Sequence, residues 1–461
     1  MLRLLLVISL LLGCTRLFAT PCTGESITID TISFTGNETT KEQVLLRELT
    51  FLTGDSVATT ALDSLLEDNR KRLFNLRLFH HVTYTYTCNA GQVQVVYHLQ
   101  ERFYLYPIPI FDIADRNFNA WLEKKDLNRL DYGFLLVRKN FRGRNEDLRV
   151  RLQHGFNRRL EFVYRNPYLF PALKLGADVG ISDYRSPTIS YNVIRNKQVF
   201  FEQEQGIPIH RTSVFGSLYH RENVQRQSVF RLSYLSEKIS EQVAELNPVY
   251  FEDGVTHRKS MRVELARVVN LRNNFVYPLT GSYFEAGAGQ VMFLENTGSP
   301  YTAFRVKYAT YHKLSKKFYY TVGAEVQARF SEEHAFTDNV ALGFRSQVRG
   351  YELYVVGGQH FGLFKQGLTY ELLNISGIKL NFIKNPKLNT IPLALYLNAF
   401  TDAGYTIDKR FNELNPLTNR FLFGTGLGLH IVTFYDIVGR VEYTFNREGD
   451  RGVFLSAGIP F

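Results

Sequence analysis

The sequence predicts a membrane β-barrel preceded by one small α+β domain, and three observations carry that expectation. The first is alternation in the carboxy-terminal half. Tyr320, Val322, Ala324, Val326, Ala328 and Phe330 interleave with Thr321, Gly323, Glu325, Gln327 and Arg329; Ile437, Gly439, Val441, Tyr443 and Phe445 interleave with Val438, Arg440, Glu442, Thr444 and Asn446. A soluble sandwich would bury the apolar face, whereas a membrane barrel turns it to lipid and lines a wet lumen with the charges. Such long strands, with Glu and Arg repeated on one face, exceed the usual soluble length of ~5–6 residues and favour the barrel. The second observation is that no run reaches the about 20 apolar residues of a spanning helix. A membrane protein without such helices must close its backbone hydrogen bonds between strands. The third is the chain end, where Val453, Leu455, Ala457, Ile459 and Phe461 share one parity and Ser456, Gly458 and Pro460 the other.

The amino terminus reads as an export signal, residues 1–19: Arg3 is followed by the apolar run Leu4 to Leu12, too short to span a bilayer. Cleavage after Ala19 is the ordinary choice. Leu11-Leu12-Gly13-Cys14 also resembles a lipoprotein processing site, at which Cys14 would become the acylated first residue. With Cys14 lost, Cys22 and Cys88 remain, and an even pair in an exported chain predicts a disulfide; two free thiols are the alternative. His80-His81 has no partner at metal-ligand spacing, so neither a metal nor another cofactor is expected. The net charge of +10 raises nucleic acid as a partner, but the basic residues are dispersed along the chain. Basic loops beside anionic headgroups and Tyr/Phe girdles at the membrane interface account for the composition better.

Residues 22–102 have a different character. Ile27, Ile29, Ile32 and Phe34 form a strand stopped at Gly36-Asn37. Thr39 or Thr40 caps a helix through Val44, Leu45, Leu46 and Leu49; a second helix carries Leu62, Leu65, Leu66, Leu73 and Leu76. Val82, Tyr84 and Tyr86, then the turn Asn89-Ala90-Gly91, then Val93, Val95 and Tyr97 form a hairpin.

That order of elements, the start Ile32-Ser33-Phe34-Thr35-Gly36-Asn37 and the entry Leu76-Arg77-Leu78-Phe79 resemble a single POTRA (polypeptide-transport-associated) domain. Residues 103–461 resemble the barrel of the BamA/TamA outer-membrane assembly factors. Asn140-Phe141-Arg142-Gly143 is similar to that family's hairpin between its second and third strands, and Asn166-Pro167-Tyr168 to the turn closing its fourth. Val348-Arg349-Gly350-Tyr351 matches the loop that folds back into the lumen, Phe400-Thr401-Asp402-Ala403-Gly404 matches a later strand, and Phe461 ends the chain as the family does. The resemblance implies sixteen antiparallel strands.

Within that frame, parity with Tyr396 and Asn398 puts Asp402 in the lumen, and Arg349 is its natural counter-ion because guanidinium and carboxylate pair bidentately. Gly350 permits a tight backbone and Tyr351 supplies an anchor. Glu371 is a second candidate lumen carboxylate. Gly424, Gly426 and Gly428 share one strand face; without a turn into a helix they are no phosphate loop, and they read as a thinned lumen wall or a site of curvature. Pro107 and Pro109 in the first barrel strand, with Pro460 and Phe461 in the last, predict a lateral seam short of hydrogen bonds. The resemblance implies that this seam is a gate for client strands. The function expected is a non-enzymatic insertase or translocase: the POTRA domain receives unfolded outer-membrane or secreted proteins in the periplasm, with room for accessory periplasmic partners, and the barrel passes them into the bacterial outer membrane. A transporter of one secreted protein, as in two-partner secretion, is the alternative; its usual second POTRA domain and plug helix are not apparent.

Overall fold

The structure, a computed structural model, describes residues 22, 24–113, 130–203, 206–295, 297–380, 390–433 and 437–458. The expected signal 1–19, Cys14, Pro460 and Phe461 lie outside the described residues. The chain divides into two units, with the boundary between Glu101 and Arg102.

The first unit runs β1 (Ser26–Thr35), α1 (Glu42–Leu46), β2 (Ser56–Ala58), α2 (Leu62–Asn75), β3 (Phe79–Asn89) and β4 (Gln92–Glu101). Its sheet has the order β2-β1-β4-β3, with β1 parallel to β4. The i, i+4 spacing of Leu62 and Leu66, continued by Leu73, puts all three on the buried face of α2. Ile29, Val93, Val95 and Tyr97 are fully buried in the sheet. Two local expectations are corrected. The short strand β2 adds an edge to the sheet, and α1 ends at Leu46 with Lys41, not a threonine, at its N-cap. Thr40 instead donates its backbone N–H (2.7 Å) and its hydroxyl (2.5 Å) to Glu101, so a distant buried carboxylate outcompetes the local cap. Cys22 and Cys88 form the expected disulfide.

The second unit is one sixteen-stranded antiparallel sheet. Its strands are β5 (Leu105–Ile113), β6 (Leu130–Phe141), β7 (Glu146–Gly155), β8 (Arg158–Phe170), β9 (Leu175–Ser186), β12 (Ile209–Asn223), β13 (Arg226–Ile239), β14 (His257–Asn270), β15 (Gly281–Leu294), β16 (Tyr301–Lys313), β17 (Phe318–Ser331), β18 (His360–Lys379), β19 (Thr390–Ile407), β20 (Phe421–Thr433), β21 (Ile437–Asn446) and β22 (Arg451–Ala457). The hairpin β10 (Thr188–Ile194) and β11 (Lys197–Glu202), unforeseen in the sequence, rises from the β9–β12 connection. A short helix, α3 (Glu241–Leu246), lies between β13 and β14. Because every pairing is antiparallel, successive connections fall alternately at the two mouths of the barrel.

Polarity runs outside-in. Leu427 is 66% exposed, Leu455 60% and Phe330 57%, while Asp402, Glu442, Glu325 and His430 are buried. Rows of exposed apolar side chains on every wall are what lipid, not water, would cover. No helix among the described residues is long and apolar enough to cross a membrane. The second unit is a membrane β-barrel, and the first, earlier in the chain, is the small α+β domain expected.

Candidate functional site: the lumen loop and the free edge

The connection between β17 and β18, residues 332–359, is held by polar contacts from its beginning to its end. Near its start Asp338 accepts from Arg258 (Nη1 2.7 Å, Nη2 3.3 Å), whose Nε also donates to Glu237 (2.7 Å). Further on, the Ser346 hydroxyl donates to Glu325 (2.7 Å), which also accepts from Arg305 Nη2 (2.5 Å).

The third anchor is the sequence motif itself. Arg349 donates Nη2 to Asp402 Oδ1 (2.6 Å) and Nε to Asp402 Oδ2 (2.8 Å), and its backbone N–H reaches the same oxygen (3.1 Å). Its guanidinium lies over the Phe400 ring at 3.6 Å from the centroid. Side chains around it keep water out: Arg349 is 3% exposed and Asp402 not at all. Gly350 has φ +97°, and a Cβ there would stand 3.0 Å from the Phe445 carbonyl oxygen, so both conformation and space call for glycine. Gly424 faces the same segment; a side chain on it would collide with the Arg349 carbonyl oxygen at 1.8 Å. Of the glycine row, Gly424 thins the lumen wall to admit the loop backbone, whereas a Cβ on Gly426 or Gly428 would meet the Tyr443 carbonyl oxygen or the Glu442 side chain. Val348 and Tyr351 enter an apolar cluster with Leu342, Val356, Leu363 and Leu422.

Asp402 is not the only partner of Arg349. Nη1 also donates to Glu442 Oε1 (3.2 Å), Arg440 Nη1 donates to Glu442 Oε2 (3.0 Å), and Lys365 Nζ stands 3.7 Å from Asp402. A turn from the opposite mouth closes the network from below. Tyr277, in the β14–β15 connection, stacks on Tyr396 (4.7 Å) and its hydroxyl lies 2.8 Å from His430 Nδ1; His430 Nε2 is 3.5 Å from Glu442. Two inward-folded connections from opposite mouths therefore meet at Glu442. Chemically this is a confined, charge-assisted hydrogen-bond network that holds a loop in place.

Glu371 stands apart from it. The register sets it opposite Tyr396, hence on the lumen face, but its N–H donates to Lys317 O (2.9 Å) beside the β16–β17 turn, and its carboxylate accepts from Asn374 (3.3 Å). It lies toward the mouth and does not join Arg349.

Pro107 and Pro109 lie inside the paired part of β5. The Lys139 N–H donates to Tyr104 O (2.7 Å), which makes the even-numbered residues of β5 the ones that exchange hydrogen bonds with β6. The odd-numbered residues then turn their N–H groups to the other edge. Of Leu105, Pro107, Pro109 and Phe111, the two prolines have no N–H to offer there. Among the described residues β5 and β22 are the ends of the sheet, with no ladder between them. The free edge is thus short of donors on the β5 side.

Sequence reading missed Glu442, Lys365, His430 and Tyr277 as partners. Strand parity already put the first three inward; which strands bring them within reach depends on register. Asn196 was also missed. Fully buried, with φ +59° at the β10–β11 turn, it accepts from Val355 N–H (2.8 Å) and Leu417 N–H (2.8 Å) and donates to Asn415 Oδ1 (2.9 Å) and Val355 O (3.2 Å). It pins the extra hairpin to the lumen loop and to the β19–β20 connection.

No curated protein matches the chain. Its shape is similar to BamA from Haemophilus ducreyi lacking POTRA domains 1–3 (15% identity, 94% of this chain and 84% of that one, TM-score 0.49). It is also similar to CdiB from Escherichia coli (12%, 97% and 92%, 0.49) and CdiB from Acinetobacter baumannii (14%, 94% and 73%, 0.48). The surface antigen variable number repeat, or POTRA, matches residues 27–102, and the Omp85 superfamily domain matches residues 140–433, more than half of the chain. The chain belongs to the Omp85 superfamily.

Proposed function

We propose that this protein is a non-enzymatic insertase or translocase for unfolded protein clients, with its barrel in the bacterial outer membrane and its POTRA unit in the periplasm. Family membership supports the location. The observation that carries the reading is the donor-poor edge of β5: an edge that cannot complete its own ladder is where an incoming strand can pair and be exchanged. The long edge strand β3 of the POTRA sheet offers a second template for an extended client, and accessory periplasmic proteins would compete for the same unit. Export of one secreted partner through the lumen, the alternative, would require the anchors at Asp338, Ser346 and Arg349 to release together; insertion at the edge leaves them in place.

The test is photo-crosslinking in cells, with the probe at Leu105 or Phe111 on the β5 edge and at Gln327 in the lumen. Nascent outer-membrane clients are expected on the edge probes. Adducts confined to Gln327 would replace insertion with passage through the lumen, and no client adduct at any position would end the client-handling reading.

A further inference from the structure

We infer that the lumen holds a binding site for a phosphate-type oxyanion, between the β13–β17 wall and the inward loop. The inference is independent of how clients are handled. A cavity of about 740 Å³ lies elsewhere beneath the β10–β11 hairpin; the one concerned here has about 630 Å³, within the usual range for small-ligand pockets. Its room comes from small residues facing inward on three adjacent strands: Ala266, Gly287, Gly289 and Ala303.

Five arginines line it, Arg231, Arg262, Arg305, Arg329 and Arg345, against two carboxylates, Glu264 and Glu285. They are far apart in sequence, and parity on β13, β14, β16 and β17 with the fold of the loop brings them to one place. Three have acidic neighbours: Arg305 donates to Glu325 (2.5 Å), Arg262 stands 3.7 Å from Glu264, and Arg231 stands 3.7 Å from Asp178. Arg329 and Arg345 have none among the described residues. Arg329 is decisive because it is 9% exposed, and its Nε and Nη1 are buried without an acceptor. Leaving a buried charged donor unmatched is costly, and a ligand oxyanion would relieve that cost.

Tyr301 concentrates the positive charge further. Its hydroxyl accepts from Arg262 Nη2 (3.0 Å), while the Arg329 guanidinium lies over its ring at 4.8 Å from the centroid. One tyrosine therefore holds two like charges together, an arrangement that favours an anion bound between them. Two uncompensated guanidiniums match a phosphate monoester, which carries about −1.5 to −2 at neutral pH, better than one carboxylate. Arg345, exposed on the loop, would close over it.

The test is calorimetry on the full chain in a neutral detergent and phosphate-free buffer. Inorganic phosphate and a short-chain phosphatidic acid are the probes, each also run in competition with the other. One saturable site is expected, weakening as salt rises and at least about tenfold weaker in Arg329→Gln. Competition between the probes, or binding of the lipid alone, assigns a headgroup phosphate; binding of inorganic phosphate alone assigns the free ion. Arg345→Gln, on an exposed loop position, gives the same readout should Arg329→Gln fail to fold, and Tyr301→Phe should weaken binding by releasing Arg262. Equal binding by wild type and both arginine variants overturns the site. So does no binding of either probe, including the case in which an acidic peptide binds instead.

Discussion

The POTRA unit and the barrel use the same two-residue alternation and bury opposite halves of it. In the small unit Ile29, Val95 and Tyr97 are inside, the arrangement expected when water surrounds a domain. In the barrel Asp402, Thr406 and His430 are fully buried while Leu427 is 66% exposed. Strand geometry is shared; the solvent assigns the faces. The stabilising interactions differ accordingly. The small unit has an apolar core and a disulfide, whereas the barrel interior adds to its apolar clusters a network of ion pairs and hydrogen bonds, which has to offset the desolvation of its own charges.

The largest expected effect comes from breaking that polar interior. Arg349→Ala and Asp402→Ala should each cost about 3–5 kcal/mol, the range for removing one member of a buried pair, read as a lower unfolding midpoint in detergent and lost heat-modifiable mobility. The double variant should cost less than the sum, because the two share hydrogen bonds. Glu442 and Lys365 keep it from equalling either single variant, since each leaves an anchored residue partly served. Strict additivity would show that Arg349 and Asp402 act separately.

Next in size is the covalent tie of the small unit. Cys22→Ser or reduction should remove roughly 4 kcal/mol, as the chain-entropy relation gives for the 66-residue separation. Denaturation followed through the POTRA unit should shift while the barrel's heat-modifiable mobility does not change. A shift in both would show that the bond supports more than its own unit.

A third experiment puts the same substitution on both units. Leu427 is 66% exposed and Leu52, in the small unit, 60%. Leu427→Lys should cost about 2–4 kcal/mol near the bilayer midplane, and Leu52→Lys less than about 0.5 kcal/mol. Urea titration of each variant in lipid vesicles checks both, and equal effects would remove the lipid-facing assignment of β20.

The smallest effect belongs to the surface of α2. Arg70 donates to Glu67 through Nε (2.7 Å) and Nη2 (2.8 Å), and this hydrogen bond holds the Glu67 carboxyl below its ordinary value of 4.5. A lowered carboxyl contributes stability that is present at neutral pH and lost as pH falls through the acidic range below that value. Both side chains are about a third exposed, so Glu67→Gln should cost no more than about 0.5 kcal/mol at pH 7 and less than that at pH 3, by urea titration at the two pH values. A larger loss at pH 3 would reverse the sign.

How legible these features were depended on their range. Inward placement of Asp402, Glu442 and Arg329 could be read from parity, because successive residues of a strand must point to opposite faces. The POTRA helix α2 could be read from leucine spacing, but Thr40 was misread as a cap because its partner, Glu101, is at the far end of the unit. The hairpin β10–β11 was missed because its residues alternate weakly and it pairs with no wall strand.

The sequence alone determined that the chain crosses a membrane by strands, that a small α+β domain precedes them, and that Asp402 faces the lumen. Those are properties of local period and composition, and covalent geometry makes them independent of register. Only the tertiary structure decided which charges meet. Glu442 beside Arg349, Tyr277 rising from the other mouth to His430, Asn196 clamping two connections, and five scattered arginines around one cavity all depend on strand offsets and loop paths. A one-residue change in register would reverse every face, and such offsets are set by the sum of many cross-strand contacts rather than by any segment's own residues.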